Sequence, residues 1–214
     1  DGLAYNQLSG VVQDSRGFLW IATFDGLSRY DGTSFQSYYH QVGTDNTLPS
    51  NQIATMSLLP GDRLLMATFG GVCILDTRSM HFRVFQDRTH ADYYAYNNNF
   101  LGTCADSSHH IWAYSRTTLY LFDDSLRLLK SWYNPEIARH PYEYVNKVFL
   151  TSSGGVAIII GDTVRRYLYP VGRFVVDSAL TRAIRPHGDV TFIMQSHHGL
   201  WWIKVHSDSL YNYS

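Results

Sequence analysis

The chain has 214 residues, a formal net charge of -1 and no Lys/Arg run, which argues against a surface for nucleic acid or anionic membrane. It has no apolar stretch of about 18 residues, so no membrane-spanning helix is predicted. Tyr, Phe and Trp number 16, 11 and 5 whereas Glu and Lys number only two and three, a bias that favours strands over helices.

The first part of the chain is predicted to form four short strands separated by polar turns. An apolar run from Gly10 to Gln13 precedes a polar turn at residues 14–17. The second strand carries Trp20, the third covers residues 26–31, and the fourth is aromatic at both ends, residues 35–38. Gly, Asp and Ser mark the turns between them, as expected for antiparallel strands.

This four-strand unit then recurs along the chain. Large apolar residues mark the second strand of each copy at spacings of 46, 46, 46 and 44 residues, namely Trp20, Met66, Trp112, Ile158 and Trp202. Periods of about 40 to 50 residues are typical of stacked β-blades. These anchors are predicted to pack where the faces of neighbouring blades meet.

The third strand of the first three units ends at an aspartate, at Asp31, Asp76 and Asp123. Because short carboxylates often accept hydrogen bonds from local backbone, these residues are predicted to stabilise turns and not to act in catalysis.

The predicted fold is an all-β propeller segment of about four and a half blades with four antiparallel strands each. The predicted units are blade 1 at residues 3–50, blade 2 at 51–97, blade 3 at 98–145, blade 4 at 146–190 and a partial blade 5 at 191–214. Such an open arc would expose strand edges and apolar blade faces. We expect these to be covered by a second copy, by distortion into a small closed ring, or by blades outside this sequence.

No residue pattern in the sequence requires an enzyme, a metal or another cofactor. Cys73 and Cys104 are predicted to be buried thiols, although the sequence does not decide their oxidation state. The histidine pairs at 109–110 and 197–198 lie in different units and are interpreted as exposed turn residues.

The long connections between blades carry the candidate ligand-binding residues, because all of these connections should emerge on one rim. Aromatic side chains with polar tips suit a carbohydrate, and they equally suit a protein partner. Tyr39 and His40 follow the first blade, and the candidate binding residues of the later connections are Tyr93, Tyr94, Tyr96, Tyr133, His140, Tyr142, Tyr144, Arg182, Arg185 and His187.

The opening of the chain resembles the two-component regulator propeller family. The matching segments are Gln13-Asp14, then Gly17-Phe18-Leu19-Trp20-Ile21-Ala22-Thr23, and then Gly26-Leu27-Ser28-Arg29-Tyr30-Asp31-Gly32. The junction Thr47-Leu48-Pro49-Ser50-Asn51-Gln52-Ile53 also recurs in that family, and the resemblance is strong over residues 1–76. It implies the periplasmic sensor region of a Bacteroidetes hybrid histidine kinase that responds to breakdown products of complex glycans.

Three functions stay open at this point. The first is an extracytoplasmic, non-enzymatic sensor segment that binds an oligosaccharide or another small polar ligand. The second is a propeller for protein assembly or dimerisation without a small ligand, and the third is a lyase or hydrolase on the same scaffold, since fold does not fix function. Under each of these three functions, we expect this segment itself to make no contact with nucleic acid or with a membrane.

Overall fold

The computed structural model describes residues 2–89, 98–133, 145–151, 154–160, 162–187, 190–195, 201–205 and 210–213. Its regular elements are almost all strands, arranged in antiparallel sheets whose order follows the chain. The first two sheets are β1 Leu8–Gln13, β2 Leu19–Thr23, β3 Gly26–Tyr30 and β4 Phe35–Tyr38, and β5 Ile53–Leu59, β6 Arg63–Thr68, β7 Gly71–Asp76 and β8 His81–Phe85.

The remaining sheets follow the same plan, and they confirm the predicted all-β propeller segment with a fifth, three-stranded blade. Their strands are β9 Phe100–Ala105, β10 Ile111–Ser115, β11 Thr118–Phe122, β12 Leu128–Tyr133, β13 Val145–Leu150, β14 Val156–Ile160, β15 Thr163–Leu168, β16 Arg173–Val176, β17 Val190–Gln195, β18 Trp201–Val205 and β19 Leu210–Tyr213. The blade boundaries themselves stay predictions, because parts of the connections lie outside the described residues.

The first strands of successive blades lie side by side around the centre. β1 contacts β5, β5 contacts β9, β9 contacts β13 and β13 contacts β17. The hydroxyl oxygens of Thr55 and Thr103 are 3.4 Å apart across the second of these contacts. The first strand of each blade is therefore the inner one, and the fourth is the outer one.

Apolar clusters fill the junctions between neighbouring blades. Trp20, Ala22 and Leu27 pack against blade 2, and Trp112, Leu119 and Leu121 pack against blade 4 in the same way. Phe100, Tyr120 and Phe122 face Leu65, Ala67 and Val72 between blades 2 and 3.

The predicted anchors do not all face the same way. Met66 and Ile158 pack against the preceding blade, whereas Trp20 and Trp112 pack against the following one. The Thr23 hydroxyl donates to the Gly26 carbonyl at 2.8 Å, and the Thr68 hydroxyl donates to the Gly71 carbonyl at the same distance. Thr23 and Thr68 are therefore equivalent residues, and blade 2 repeats blade 1 at an offset of 68 − 23 = 45 residues. An offset of 46 is one residue too long, and in a strand one residue reverses the face.

Leu65 therefore takes the place of Trp20 in blade 2. The first turns do not cause the shift, because Val12 pairs with Trp20 in blade 1 as Ser57 pairs with Leu65 in blade 2. The alignment is displaced by one position because Leu65 and Met66 are both apolar and β6 is buried on both faces.

Among the residues that the structure describes, one short helix interrupts the all-β pattern. Helix α1, Ser178–Ile184, lies in the connection after β16, and a 3-10 turn, Arg185–His187, continues it. The Asp177 side chain accepts a hydrogen bond from the backbone N of Leu180 at 3.0 Å, an N-cap contact that satisfies a free donor at the helix start. Within the described residues, no helix has the length and apolar character needed to cross a membrane.

The turn aspartates behave as predicted, and so does the buried Cys73, whereas Cys104 is only partly buried. Oδ1 of Asp31 accepts from the backbone N of Thr33 and Ser34, and Asp76 and Asp123 make equivalent contacts. Cys73 and Cys104 are free thiols, and burial raises the pKa of both well above the ordinary value. Neither thiol is poised for thiolate chemistry.

A carboxylate of blade 2 joins the first two blades on the side of the first turns. Asp62 accepts from the backbone N of Ser15 at 2.9 Å and from its hydroxyl at 2.5 Å, and Arg78 donates to it at 3.0 Å. The two bonds from Ser15, followed by the one from Arg78, lower the pKa of Asp62 to about 2.

We expect this pKa to make the blade 1 to blade 2 contact sensitive to acid. The folded pKa lies below the unfolded value of about 3.9, so the stabilisation is complete above that value and is lost as the pH falls through about 2. Guanidinium unfolding between about pH 5 and pH 2 should show that Asp62→Asn reduces proton uptake on unfolding by up to about one proton. Ser15→Ala should reduce it in the same direction, and an unchanged pH slope in both variants would contradict this assignment.

Candidate ligand-binding rim

Antiparallel topology sorts the loops onto two rims. The first and third turns of each blade lie on one side, which we call the turn rim. The second turns, at residues 24–25, 69–70 and 116–117, lie on the other side together with the connections that start after β4, β8, β12 and β16. We call this second side the connection rim, and it is where the predicted binding residues were expected.

The structure places four of the ten predicted binding residues. Tyr133 is the last residue of β12, Arg182 is exposed in the last turn of α1, Arg185 follows α1, and His187 ends the 3-10 turn. Arg182, Arg185 and His187 therefore belong to the same connection, the one after β16. The other six lie outside the described residues: Tyr93, Tyr94, Tyr96, His140, Tyr142 and Tyr144.

Arg185 already has a partner on this rim. Its Nε donates to Oδ2 of Asp162, in the turn between β14 and β15, at 2.7 Å. This bond ties the connection to its own blade and lowers the pKa of Asp162. Both side chains are more than half exposed, so the pair contributes little to stability.

The connection that carries Tyr93, Tyr94 and Tyr96 is fixed at its base. The backbone N of Asp87 donates to Oδ1 of Asn98 at 2.7 Å, and Nδ2 of Asn98 donates to the Asp87 carbonyl at 2.9 Å. The buried hydroxyl of Tyr120 donates to Oδ2 of Asp87 at 2.6 Å. Blade 3 therefore holds both ends of this connection.

Residues 39 and 40 start the connection between blades 1 and 2. His40 stabilises that connection itself, since its backbone N donates to Oδ1 of Asn51 and its Nδ1 lies 2.6 Å from the Leu48 carbonyl. Between this connection and β8 lies an open groove of about 590 Å³ at the outside of the blade junction. Asn46 covers part of the β8 edge there, because its Oδ1 accepts from the backbone N of Phe82 at 2.6 Å.

Every inner strand carries a register shift at its connection-rim end. One residue of each inner strand is left out of the pairing with its neighbour, namely Ser9, Ala54, Leu101, Asn146 and Thr191. Such bulges occur next to binding sites because they turn backbone groups out of the ladder. The repeat analysis did not find them, since a bulge changes pairing and leaves the apolar pattern intact.

Amide side chains stand directly before three of these inner strands. Gln7 precedes β1, Gln52 precedes β5 and Asn99 precedes β9. Sequence reasoning missed this set, although its spacing of 45 and 47 residues follows the repeat and could have revealed it. In the sequence, Tyr144 holds the corresponding place before β13.

The turn rim carries a buried carboxylate network that recurs in blades 1 and 3. Oδ2 of Asp14 accepts from the Trp20 indole at 3.0 Å, and Oδ2 of Asp106 accepts from the Trp112 indole at 2.9 Å. Burial alone would raise the pKa of Asp14, but the bonds from Trp20, Arg16 and the backbone together lower it.

The interpretation of His110 as an exposed turn residue is wrong. Its ring is only about one-third exposed and stacks on Tyr169 with centroids 5.6 Å apart. Tyr169 donates its hydroxyl to Asp106, so a carboxylate, a histidine and a tyrosine do meet here. Asp106 is buried and its oxygens accept from structural donors, so this cluster supports the junction of blades 3 and 4. In the described ranges no three potential ligands are grouped to hold a metal ion.

No family model matches the chain, and no curated protein matches it. Solved structures do match. The extracellular domain assigned to the hybrid two-component system BT3049 of B. thetaiotaomicron has a TM-score of 0.75 and 18% identity, over 98% of this chain and 30% of that one. The extracellular domain assigned to the system BT4673 of the same organism has a TM-score of 0.71 and 16% identity, over 98% of this chain and 29% of that one.

An enzyme is also among the similar structures. Virginiamycin B lyase from Staphylococcus aureus has a TM-score of 0.66 and 10% identity, over all of this chain and 72% of that one. The chain spans about a third of the length of the two sensor domains, at identities that carry information on fold alone. Strand order and structural likeness together establish that the described chain is a β-propeller segment.

Proposed function

We propose that this chain is part of the extracellular sensor domain of a hybrid two-component system. The observation that carries the proposal is the likeness of nearly the whole chain to two extracellular domains assigned to such systems. The segments around Trp20 and Asp31, which resemble the two-component regulator propeller family, support it independently. Sensing in this arrangement takes place in the periplasm, and the kinase belongs to another part of the full protein.

The ligand class in this proposal is a small polar molecule of the kind released from glycans. Such a molecule has apolar C–H faces that stack on aromatic rings and hydroxyls that need hydrogen-bond partners. The sequences of the long connections contain both kinds of side chain, and the candidate contacts are Tyr93, Tyr94, Tyr96, Tyr133, His140, Tyr142, Tyr144, Arg182, Arg185 and His187. The segment acts by binding and carries out no reaction.

Isothermal titration calorimetry tests this function directly. The purified protein is titrated with neutral gluco-, manno-, xylo-, arabino- and galacto-oligosaccharides of about two to six units. We expect saturable heat with one class at micromolar to millimolar dissociation constants, the range of a modest interface of this kind. Absence of heat with every class would remove the ligand-sensing function and favour an assembly role.

An assembly role has one specific observation in its favour. The face of blade 1 that points away from blade 2 carries the half-exposed side chains of Leu8 and Val11. The segment before β1 contacts this blade as well, since the backbone N of Ala4 donates to the Ser28 hydroxyl at 3.0 Å. Further blades or a second copy of the chain would bury this face as the other junctions are buried.

A further inference from the structure

Four residues of blades 1 and 2 form a contiguous cluster at the inner part of the connection rim. The backbone N of Phe24 donates to the Gln7 carbonyl at 3.2 Å, and that of Phe69 donates to the Gln52 carbonyl at 3.0 Å. The two phenyl rings meet edge to face, with centroids 6.4 Å apart. These contacts place the two glutamines beside the two phenylalanines, and we call these four residues the amide-aromatic cluster.

The exposure of the cluster leaves it available to a ligand. Both glutamine side chains are exposed, and both rings are partly exposed. A primary amide presents two donors and one acceptor, so each glutamine can bind two neighbouring hydroxyls. Aromatic rings beside such amides provide the apolar surface on which a sugar ring stacks.

Asn99 extends this pattern towards blade 3. It stands before β9 as Gln52 stands before β5, and these inner strands are neighbours. Among the described residues, the Oδ1 atom of Asn99 is buried and accepts no hydrogen bond. A buried acceptor without a donor costs free energy, and a ligand hydroxyl would remove that cost. The adjacent bulge at Leu101 turns backbone groups out of the ladder at the same level.

The charges around the cluster favour an uncharged ligand. Asp25 lies in the same turn as Phe24, and its Oδ1 accepts from Nδ2 of Asn51 at 3.0 Å. Arg116 is exposed in the corresponding turn of blade 3. One acidic and one basic side chain flank a group of neutral amides, so neither an anion nor a cation is selected.

We propose that Gln7, Phe24, Gln52 and Phe69, extended by Asn99, bind the ring of a neutral polyhydroxylated ligand such as the end unit of an oligosaccharide. This site rests on the proposed ligand-sensing function and gives it a location close to the hub of the propeller. The amides bind the hydroxyls, the phenyl rings contact the C–H face, and Oδ1 of Asn99, which accepts no hydrogen bond from the described residues, accepts from a further hydroxyl.

The test uses the oligosaccharide class that gives heat with the unaltered protein. Gln7→Ala and Gln52→Ala should each weaken binding about 3- to 10-fold, and the double variant about 10- to 100-fold, because each removes hydrogen bonds from an exposed side chain. Phe69→Leu should weaken binding to a similar extent. Gln41→Ala is the matched control, since this exposed glutamine lies in the outer part of the first connection.

The outcomes separate this site from the function on which it rests. Weaker binding in the Gln7, Gln52 and Phe69 variants with unchanged binding in Gln41→Ala supports the site. Unchanged binding in the double variant overturns the site and leaves the sensor function in place. No binding by the unaltered protein overturns both. Equal thermal unfolding midpoints for all variants exclude misfolding as the cause of any loss.

Discussion

Trp112→Ala is expected to reduce the free energy of unfolding by about 3–5 kcal/mol, the range for removing a fully buried large aromatic side chain. The Trp112 side chain is 0% exposed at the junction of blades 3 and 4. It stacks on Trp132 at 5.7 Å and meets the rings of Tyr167 and Phe174 edge to face at 4.8 and 5.9 Å. Its removal leaves a cavity that neighbouring blades cannot fill without moving as sheets.

Guanidinium unfolding followed by intrinsic fluorescence and circular dichroism measures this loss. Leu129→Ala is the matched control, because Leu129 lies on the outer strand of the same blade and is 46% exposed. That variant should lose less than about 1 kcal/mol. A Trp112→Ala protein that is destabilised no more than the Leu129→Ala protein would show that the blade junction does not hold the fold together.

The β-propeller architecture could be predicted because the apolar anchors recur at a nearly constant spacing along the chain, which the turns between the strands change very little. Trp20 and Trp112 were found as equivalent residues, and both do pack against the following blade. Met66 and Ile158 were matched to them one residue out of register, since the neighbouring residues Leu65 and Ala157 are apolar as well. In a strand buried on both faces, hydropathy does not distinguish one face from the other.

Helix α1 had a local signal that was too short to outweigh the repeat. Asp177 is a favourable N-cap residue, and Leu180 and Ile184 are spaced for one helical face, but seven residues make only two turns. The helix forms because Leu180 and Ile184 are buried and because the Thr181 hydroxyl accepts from the backbone N of Val164 at 3.0 Å.

The candidate site was only partly accessible to sequence reasoning. The tyrosines and arginines of the long connections could be picked out in the sequence because aromatic rings in long connections are unusual. Their role in ligand binding stays a prediction. Gln7, Gln52 and Asn99 were missed because a polar residue before a strand is usual at a turn. Their spacing of 45 and 47 residues follows the repeat, and the register of β1, β5 and β9 shows that each of them directly precedes an inner strand.

Asp106→Ala is expected to reduce the free energy of unfolding by about 2–4 kcal/mol, because it leaves several buried or partly buried donors without an acceptor. Oδ1 of Asp106 accepts from the backbone N of Ser108 at 2.8 Å and of His110 at 3.0 Å. Oδ2 accepts from the Trp112 indole at 2.9 Å and from the Tyr169 hydroxyl. The carboxylate thus closes its own turn and joins it to blade 4.

Two further variants separate these roles. Tyr169→Phe removes the bond from blade 4 to Asp106 and the 3.1 Å contact of the Trp112 indole with the same hydroxyl, and it should lose about 1 kcal/mol in the same guanidinium experiment. Asp124→Ala removes a carboxylate that is 57% exposed and 3.9 Å from Arg63, and it should change stability by less than about 0.5 kcal/mol. The order Asp106, Tyr169, Asp124 in decreasing loss is the expected result. A loss for Asp106→Ala no larger than that for Asp124→Ala would mean that the indole and backbone donors are satisfied by water, and that the recurring Asp–Trp pair does not stabilise the blades.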